Sequence, residues 1–200
     1  MPAGPVLVLG LGNPGPQYAE TRHNLGFMVV AELARRLGVS LTRRGHSSLW
    51  SEGRLAGRKV IMAQPQTYMN LSGQAAQGIM GYFDLPLERV VVVHDDLDLE
   101  PGRLKVATGG GAGGHKGVAS LLAHLHSGRF LRLKVGIGRP RFGEAVEDYV
   151  LSGFYADQRE TIQQAVNEAA DCLEVIVALG ATAAMNKYNA RGLRKEVSSI

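Results

Sequence analysis

Two short stretches, Val6–Leu9 and the valines of Arg89–Val93, are apolar at every position rather than at alternate ones. A strand presents two faces, so a strand with no polar face must be covered on both. Helices have to supply that cover, which points to an α/β architecture. Helical patterns do alternate with such runs. From Asn24 onward Phe27, Val30, Ala31, Leu33, Ala34 and Leu37 recur at helical spacing, and Gly38 ends the stripe. Strands are expected at Leu49–Leu55, Lys59–Ala63 and Arg103–Ala107, and helices at Leu71–Phe83, Val118–His126, about Asp157–Leu179 and about Thr182–Arg191. Leu131, Leu133, Val135 and Ile137 alternate with Arg132, Lys134, Gly136 and Gly138, a period of two with one polar face.

No composition break or repeat divides this pattern. A chain of 200 residues suits one well-cored domain and is short for two. The expectation is a single α/β domain over 1–200, with a twisted, mixed, mostly parallel sheet flanked by helices. The polar end, 192–200, is expected to fray. The single cysteine, Cys172, falls inside a helical pattern and permits no internal disulfide. No stretch approaches the ~18 apolar residues of a membrane span. The start of the chain lacks the regions of a signal peptide. These features fit a cytoplasmic protein without a membrane partner.

Glycine is abundant, with 26 residues, and two clusters invite nucleotide readings. Gly10, Gly12 and Gly15 match G-x-G-x-x-G after a strand. A dinucleotide site also needs a helix opening at the third glycine and an acidic strand end about 20 residues on. "PQYAETRHN" has no helical apolar face, and Glu32 lies within a helix. The cluster "GGGAGGHKG" is no P-loop, because Lys116 follows His115 and precedes Gly117. Five glycines in six residues, Gly109–Gly114, instead suit close passage of a bulky ligand over the backbone.

Polar residues follow three strand ends, where open α/β sheets place their sites. These are Asn13, Tyr18 and His23; Asn70; and His94, Asp95, Asp96 and Asp98. A histidine beside an aspartate can act as a general base toward water. Asn13 and Asn70 can donate to a developing oxyanion, although Asn13 also suits a turn before Pro14 and Asn70 also suits a helix cap. His94 reads as packed at a buried strand end. No G-x-S-x-G elbow offers a serine nucleophile. The acidic trio fails the EF-hand spacing, since Pro101 stands where glycine is required. Asp95 with Asp98 could hold Mg²⁺, but acidic residues after a strand are commonly turn formers and caps. The net charge of +4 permits an acidic partner, and Arg132, Lys134, Arg139, Arg141, Lys187, Arg191, Arg194 and Lys195 could form an RNA-facing surface or simply a solvated one.

"GLGNPGPQYAETRHNLGF", "PQTYMNLSG", "HDDLDLEPG", "GGGAGGHKG" and "VGIGRP" occur in the order and spacing of one family. Through these motifs the chain resembles bacterial peptidyl-tRNA hydrolase from about Val6 to Leu193. The resemblance implies hydrolysis of the ester joining a peptide to the 3′-terminal ribose of tRNA, which recycles tRNA. It implies a cytoplasmic monomer with no metal cofactor and no obligatory protein partner, acting on the CCA end and acceptor stem. His23 matches the family's base and Asp95 the aspartate that orients it. Asn13 and Asn70 match asparagines that hold the peptide and help stabilise the reacting carbonyl. Tyr18 matches a tyrosine contacting substrate near the tRNA end. Lys134 matches one of two basic residues that clamp the tRNA 5′-phosphate. The other position is Ala107 here, and Lys105, two residues away on the same face, can partly substitute. Lys116 stands where the family usually has a substrate-binding asparagine; a lysine brings charge and no acceptor. The competing readings are a non-catalytic RNA-binding protein on the same fold and a nucleotide-binding oxidoreductase.

Overall fold

The computed structural model describes residues 2–192. One seven-stranded sheet runs in the order β2-β3-β4-β1-β5-β7-β6. Its strands are β1 (Val6–Gly10), β2 (Arg43–Gly45), β3 (Ser48–Leu55), β4 (Arg58–Pro65), β5 (Val90–Asp96), β6 (Leu104–Thr108) and β7 (Leu131–Gly136). The central strands β4, β1, β5 and β7 run parallel, while β2, β3 and β6 join by antiparallel pairing toward the edges. The helices are α1 (Leu25–Arg36), α2 (Ser72–Tyr82), α3 (Lys116–Leu125), α4 (Val146–Val150), α5 (Arg159–Leu179) and α6 (Ala181–Tyr188).

The all-apolar strands are explained by two cores. Val6 and Val8 of β1 pack with α1, α5 and α6 on one face. Leu7 and Leu9 pack with α2 and α3 on the other. The buried stripe of α1 is Leu25, Val29, Val30, Leu33 and Ala34. It lies beside the one expected from the sequence, with Phe27 only half-buried and Ala31 exposed.

Two elements escape the sequence patterns. Strand β2 is three residues long, polar and at the sheet edge. Helix α4 has five residues, too few to show a period. The strand β7 carries a third surprise. Its alternation reads as one apolar and one solvent-facing side, yet Arg132 is buried. Alternation reports that two faces differ, not that one meets water. The expected fraying of the C-terminal tail, and the basic side chains Arg191, Arg194 and Lys195, lie outside what is described.

Gly10 and Gly12 are used for packing. A Cβ on Gly10 would lie 2.2 Å from the carbonyl oxygen of Gly26, and one on Gly12 would lie 2.6 Å from the Phe27 ring. The first turn of α1 therefore rests directly on the end of β1. That contact delivers the turn before α1, and His23 with it, to the C-terminal edge of the parallel strands.

Candidate active site

Three consecutive residues, Arg22, His23 and Asn24, form a 3₁₀ turn just before α1, and all three are buried. Each reaches a different part of one cleft. Asn24 accepts from the Asn13 backbone N–H at 2.8 Å through Oδ1 and donates to the Asn13 carbonyl at 2.9 Å. Asn13 in turn accepts from the Met69 N–H at 2.8 Å through Oδ1. With its oxygen so engaged, the Asn13 amide NH₂ is the donor left over at the cavity wall.

His23 Nδ1 lies 2.9 Å from Asp95 Oδ1 and 3.2 Å from Oδ2. Asp95 stands near the end of β5 and is buried. Its Oδ1 also lies 3.0 Å from His115 Nε2. His115 caps α3, and its Nδ1 accepts from the N–H groups of Gly117 at 3.1 Å and Val118 at 3.3 Å. That nitrogen is therefore unprotonated, and Nε2 is the one that donates to Asp95. Burial pushes the Asp95 carboxyl up, but the two imidazoles, His115 and then His23, override it and hold the group well below the usual carboxylate range. An ionised Asp95 fixes the proton of His23 on Nδ1. The His23 Nε2 lone pair then makes no hydrogen bond among the described residues.

His94 is packed, as expected, with its ring 4.9 Å from that of His115. Its Nδ1 donates to the Asp95 carbonyl at 2.7 Å. Burial, reinforced by His115, pushes its pKa down to about 3, so it stays neutral.

A cavity of about 780 Å³ opens over these groups. Asn13, His23, Asn70, Asp95, Lys116 and Lys134 all line it. Asn70 sits in a 3₁₀ turn, exposed, and makes no capping bond to α2. Tyr18 does not line the cavity; its carbonyl accepts from the Thr21 hydroxyl at 2.8 Å. Lys134 Nζ pairs with Asp96 at 2.8 Å, and Lys105 stands directly opposite Lys134 on β6. Lys116 pairs with Glu147 of α4 at 2.6 Å across the cavity rim. The acidic trio does not converge on a cation: Asp95 serves the histidines, Asp96 serves Lys134, and Asp98 pairs with Arg139. Among the described residues, His23, Asp95 and His115 are the group whose ligand atoms, within 4.8 Å of one another, could hold a metal ion. Their present spacing is that of hydrogen bonds.

Arg132 does not belong to an RNA-facing surface. Its Nη1 donates to the Gly111 carbonyl at 2.7 Å and its Nη2 to that of Gly110 at 2.6 Å. Burial lowers its pKa from the ordinary arginine value. It props the glycine loop, whose Ala112, Gly113 and Gly114 line the cavity. His115 is the functional side chain that sequence reasoning missed. Its signal was present, a polar residue immediately before a helical pattern, but histidine is an unusual cap.

Fold and cleft together define a class. This is a single-sheet α/β protein with a carboxylate-oriented histidine, able to activate water, at the C-terminal edge of its parallel strands. The family model described as Peptidyl-tRNA hydrolase matches residues 7–196. The peptidyl-tRNA hydrolase of Carboxydothermus hydrogenoformans is 47% identical over 186 residues, covering 93% of this chain and 99% of the relative. That of Bacillus subtilis is 40% identical over 186 residues, with the same coverage. The crystal structure of peptidyl-tRNA hydrolase from Acinetobacter baumannii superposes with a TM-score of 0.87 at 35% identity, covering 92% of this chain and 94% of that one. The chain belongs to the peptidyl-tRNA hydrolase family.

Proposed function

We propose that this protein hydrolyses the ester between a peptide and the 3′-terminal ribose of peptidyl-tRNA, with His23 as general base. The observation that carries the reading is the His23–Asp95 pair, with Nδ1 held at 2.9 Å and the ring lining an open cavity. His23 Nε2 takes a proton from water as the water oxygen attacks the ester carbonyl carbon. Charge develops on the carbonyl oxygen, and the side-chain amides of Asn13 and Asn70 are the donors for it. The tetrahedral species collapses, the bond to the ribose 3′-oxygen breaks, and the imidazolium returns its proton to that oxygen. Asp95 stays ionised throughout and stabilises the imidazolium.

The lining of the cleft suits both parts of the substrate. Lys134 and Lys105 share one sheet face and supply the cationic side for a tRNA phosphate. Tyr68, Met69, Val146, Val150 and Leu151 give an apolar side for the peptide. Lys116 contacts substrate from the rim, and Tyr18 contacts it beyond the cavity, toward the tRNA end. The protein acts as a cytoplasmic monomer on the CCA end and acceptor stem. A dinucleotide has no place at Gly10 and Gly12, whose open sides are filled by Gly26 and Phe27.

The test is cleavage of an N-blocked aminoacyl-tRNA, run with and without chelator. His23→Ala should lower turnover by about 10²–10⁴-fold with RNA affinity preserved. Full turnover in that variant would remove the base. A wild-type protein that binds tRNA and cleaves nothing would favour the RNA-binding reading.

A further inference from the structure

Arg22 has no exposed surface and forms no ion pair among the described residues. Its guanidinium carbon lies 3.8 Å from the centre of the Tyr149 ring and 4.5 Å from that of Tyr155. One nitrogen, Nη1, makes all of its side-chain hydrogen bonds: to the Tyr149 carbonyl at 3.1 Å, the Ser152 carbonyl at 3.3 Å and the Ser152 hydroxyl at 2.7 Å. Nε and Nη2 are buried without a partner. A buried cation with two idle nitrogens is a costly way to fill space, because an apolar side chain would avoid the desolvation.

What the cation grips is α4 and the turn after it. A five-residue helix with no side-chain cap does not hold its own position. Its place is set by contacts, and several of them come from the turn that carries the base. The Arg22 N–H donates to the Ser152 carbonyl at 3.1 Å, and Thr21 bridges to Gly153. The helix contributes Val146, Glu147 and Val150 to the cavity wall, and Leu151 follows them. His23, the next residue along, lines the same cavity.

We propose that Arg22 is a positioning residue that sets the apolar α4 wall at a fixed distance from His23, and thereby selects for peptides with a large apolar residue at the ester. It does not touch the reacting atoms. The inference rests on the hydrolytic reading above, and it assigns the peptide to the α4 side because Val146, Val150 and Leu151 give that wall an apolar lining.

The experiment compares tRNAs charged with N-acetyl-phenylalanine and with N-acetyl-glycine, for wild type, Arg22→Lys and Arg22→Met. Wild type should prefer the phenylalanyl ester. Arg22→Met should raise KM for that ester about tenfold, and Arg22→Lys by a smaller factor, while kcat and its pH midpoint hold, and the preference should fall toward one. Lysine keeps a cation against the rings but gives up the forked geometry, so it should rescue only in part. Should Arg22→Met fail to fold, Ser152→Ala removes the shortest acceptor from an exposed position and should shift KM the same way by a smaller factor. An equal loss of kcat for both esters, unchanged kinetics in every folded variant, or a wild type without preference would overturn the positioning role. If wild type cleaves neither ester, the hydrolytic reading itself falls and this proposal falls with it.

Discussion

Two walls of the cleft each rest on a buried arginine, and they are held differently. Arg22 grips α4 through a single nitrogen while resting against two tilted tyrosine rings, with Thr21–Gly153 and the Tyr149 hydroxyl on the Ile137 carbonyl at 2.7 Å as further tethers. Arg132 grips the glycine loop with both terminal nitrogens, on two consecutive carbonyls. That loop has few alternatives: Gly109 N–H reaches the Phe130 carbonyl only at 3.5 Å, and the bond from His115 to Ala112 is local. Gly109, Gly110, Gly113 and Gly114 all have positive φ, so the loop has little intrinsic preference for its shape. One wall is a short helix over-determined by several contacts. The other is a pliant backbone fixed by one side chain.

The largest effect should come from releasing the second wall. Arg132→Met removes both hydrogen bonds to the carbonyls of Gly110 and Gly111, which are exposed and can turn to water, so the loop is released at a cost of about 1 kcal/mol per bond. Turnover should fall by about two orders of magnitude, since an ångström of misplacement is enough for that. Hydrogen exchange should quicken at 109–115 and stay slow at 146–153. Equal loosening of both walls would show that they are one unit and erase the contrast.

Acid should act on the glycine-loop side as well. His94 is neutral in the folded protein, with its pKa pushed down from 6.5 to about 3 by burial and His115. The unfolded chain binds that proton first, so folding stability should decline from about pH 6.5 toward pH 3. The slope should reach at most about 1.4 kcal/mol per pH unit. Asp95, held low by the two imidazoles, adds a further loss below the ordinary carboxylate range as it protonates. Urea unfolding at pH 7 and pH 5 measures the slope. A flat response would show that His94 is not buried in its neutral form.

Lys134 tests the floor between the walls. Lys134→Ala should weaken tRNA binding and reduce the salt dependence of log affinity by about one ion. An unaltered slope would take Lys134 out of phosphate contact. The smallest effect should come from the rim, where the Lys116–Glu147 pair links the two walls. Both side chains are mostly exposed, so the pair is screened and weak. Lys116→Asn should leave activity the same or improve it within about twofold. A collapse of activity would mean that the two walls work through this pair.

Much of the site could be read from the residues themselves. His23, Asn13 and Asn70 follow strand ends and Asp95 stands near the end of one, and the C-terminal ends of parallel strands lie along one edge of the sheet. Elements long enough to show a period, such as β7 and α5, were expected close to where they lie, whereas β5 runs on through Asp96, past the expected Val93. What could not be read was the use of positive charge. Arg22, Arg132 and Lys134 look alike in a sequence, yet the first holds a helix, the second a loop, and the third lines the cavity. His115 was passed over for a related reason, since its cap and its bond to Asp95 come from different parts of the chain.

The amino-acid sequence alone determined that this chain forms a doubly covered sheet and which family it joins. Apolar periodicity and motif order are local properties, and they survive without coordinates. Only the tertiary structure decided which polar groups are buried and what each one holds. Burial and partnership depend on residues far apart in the chain, as with the 72-residue separation of His23 and Asp95, and local pattern carries no record of that distance.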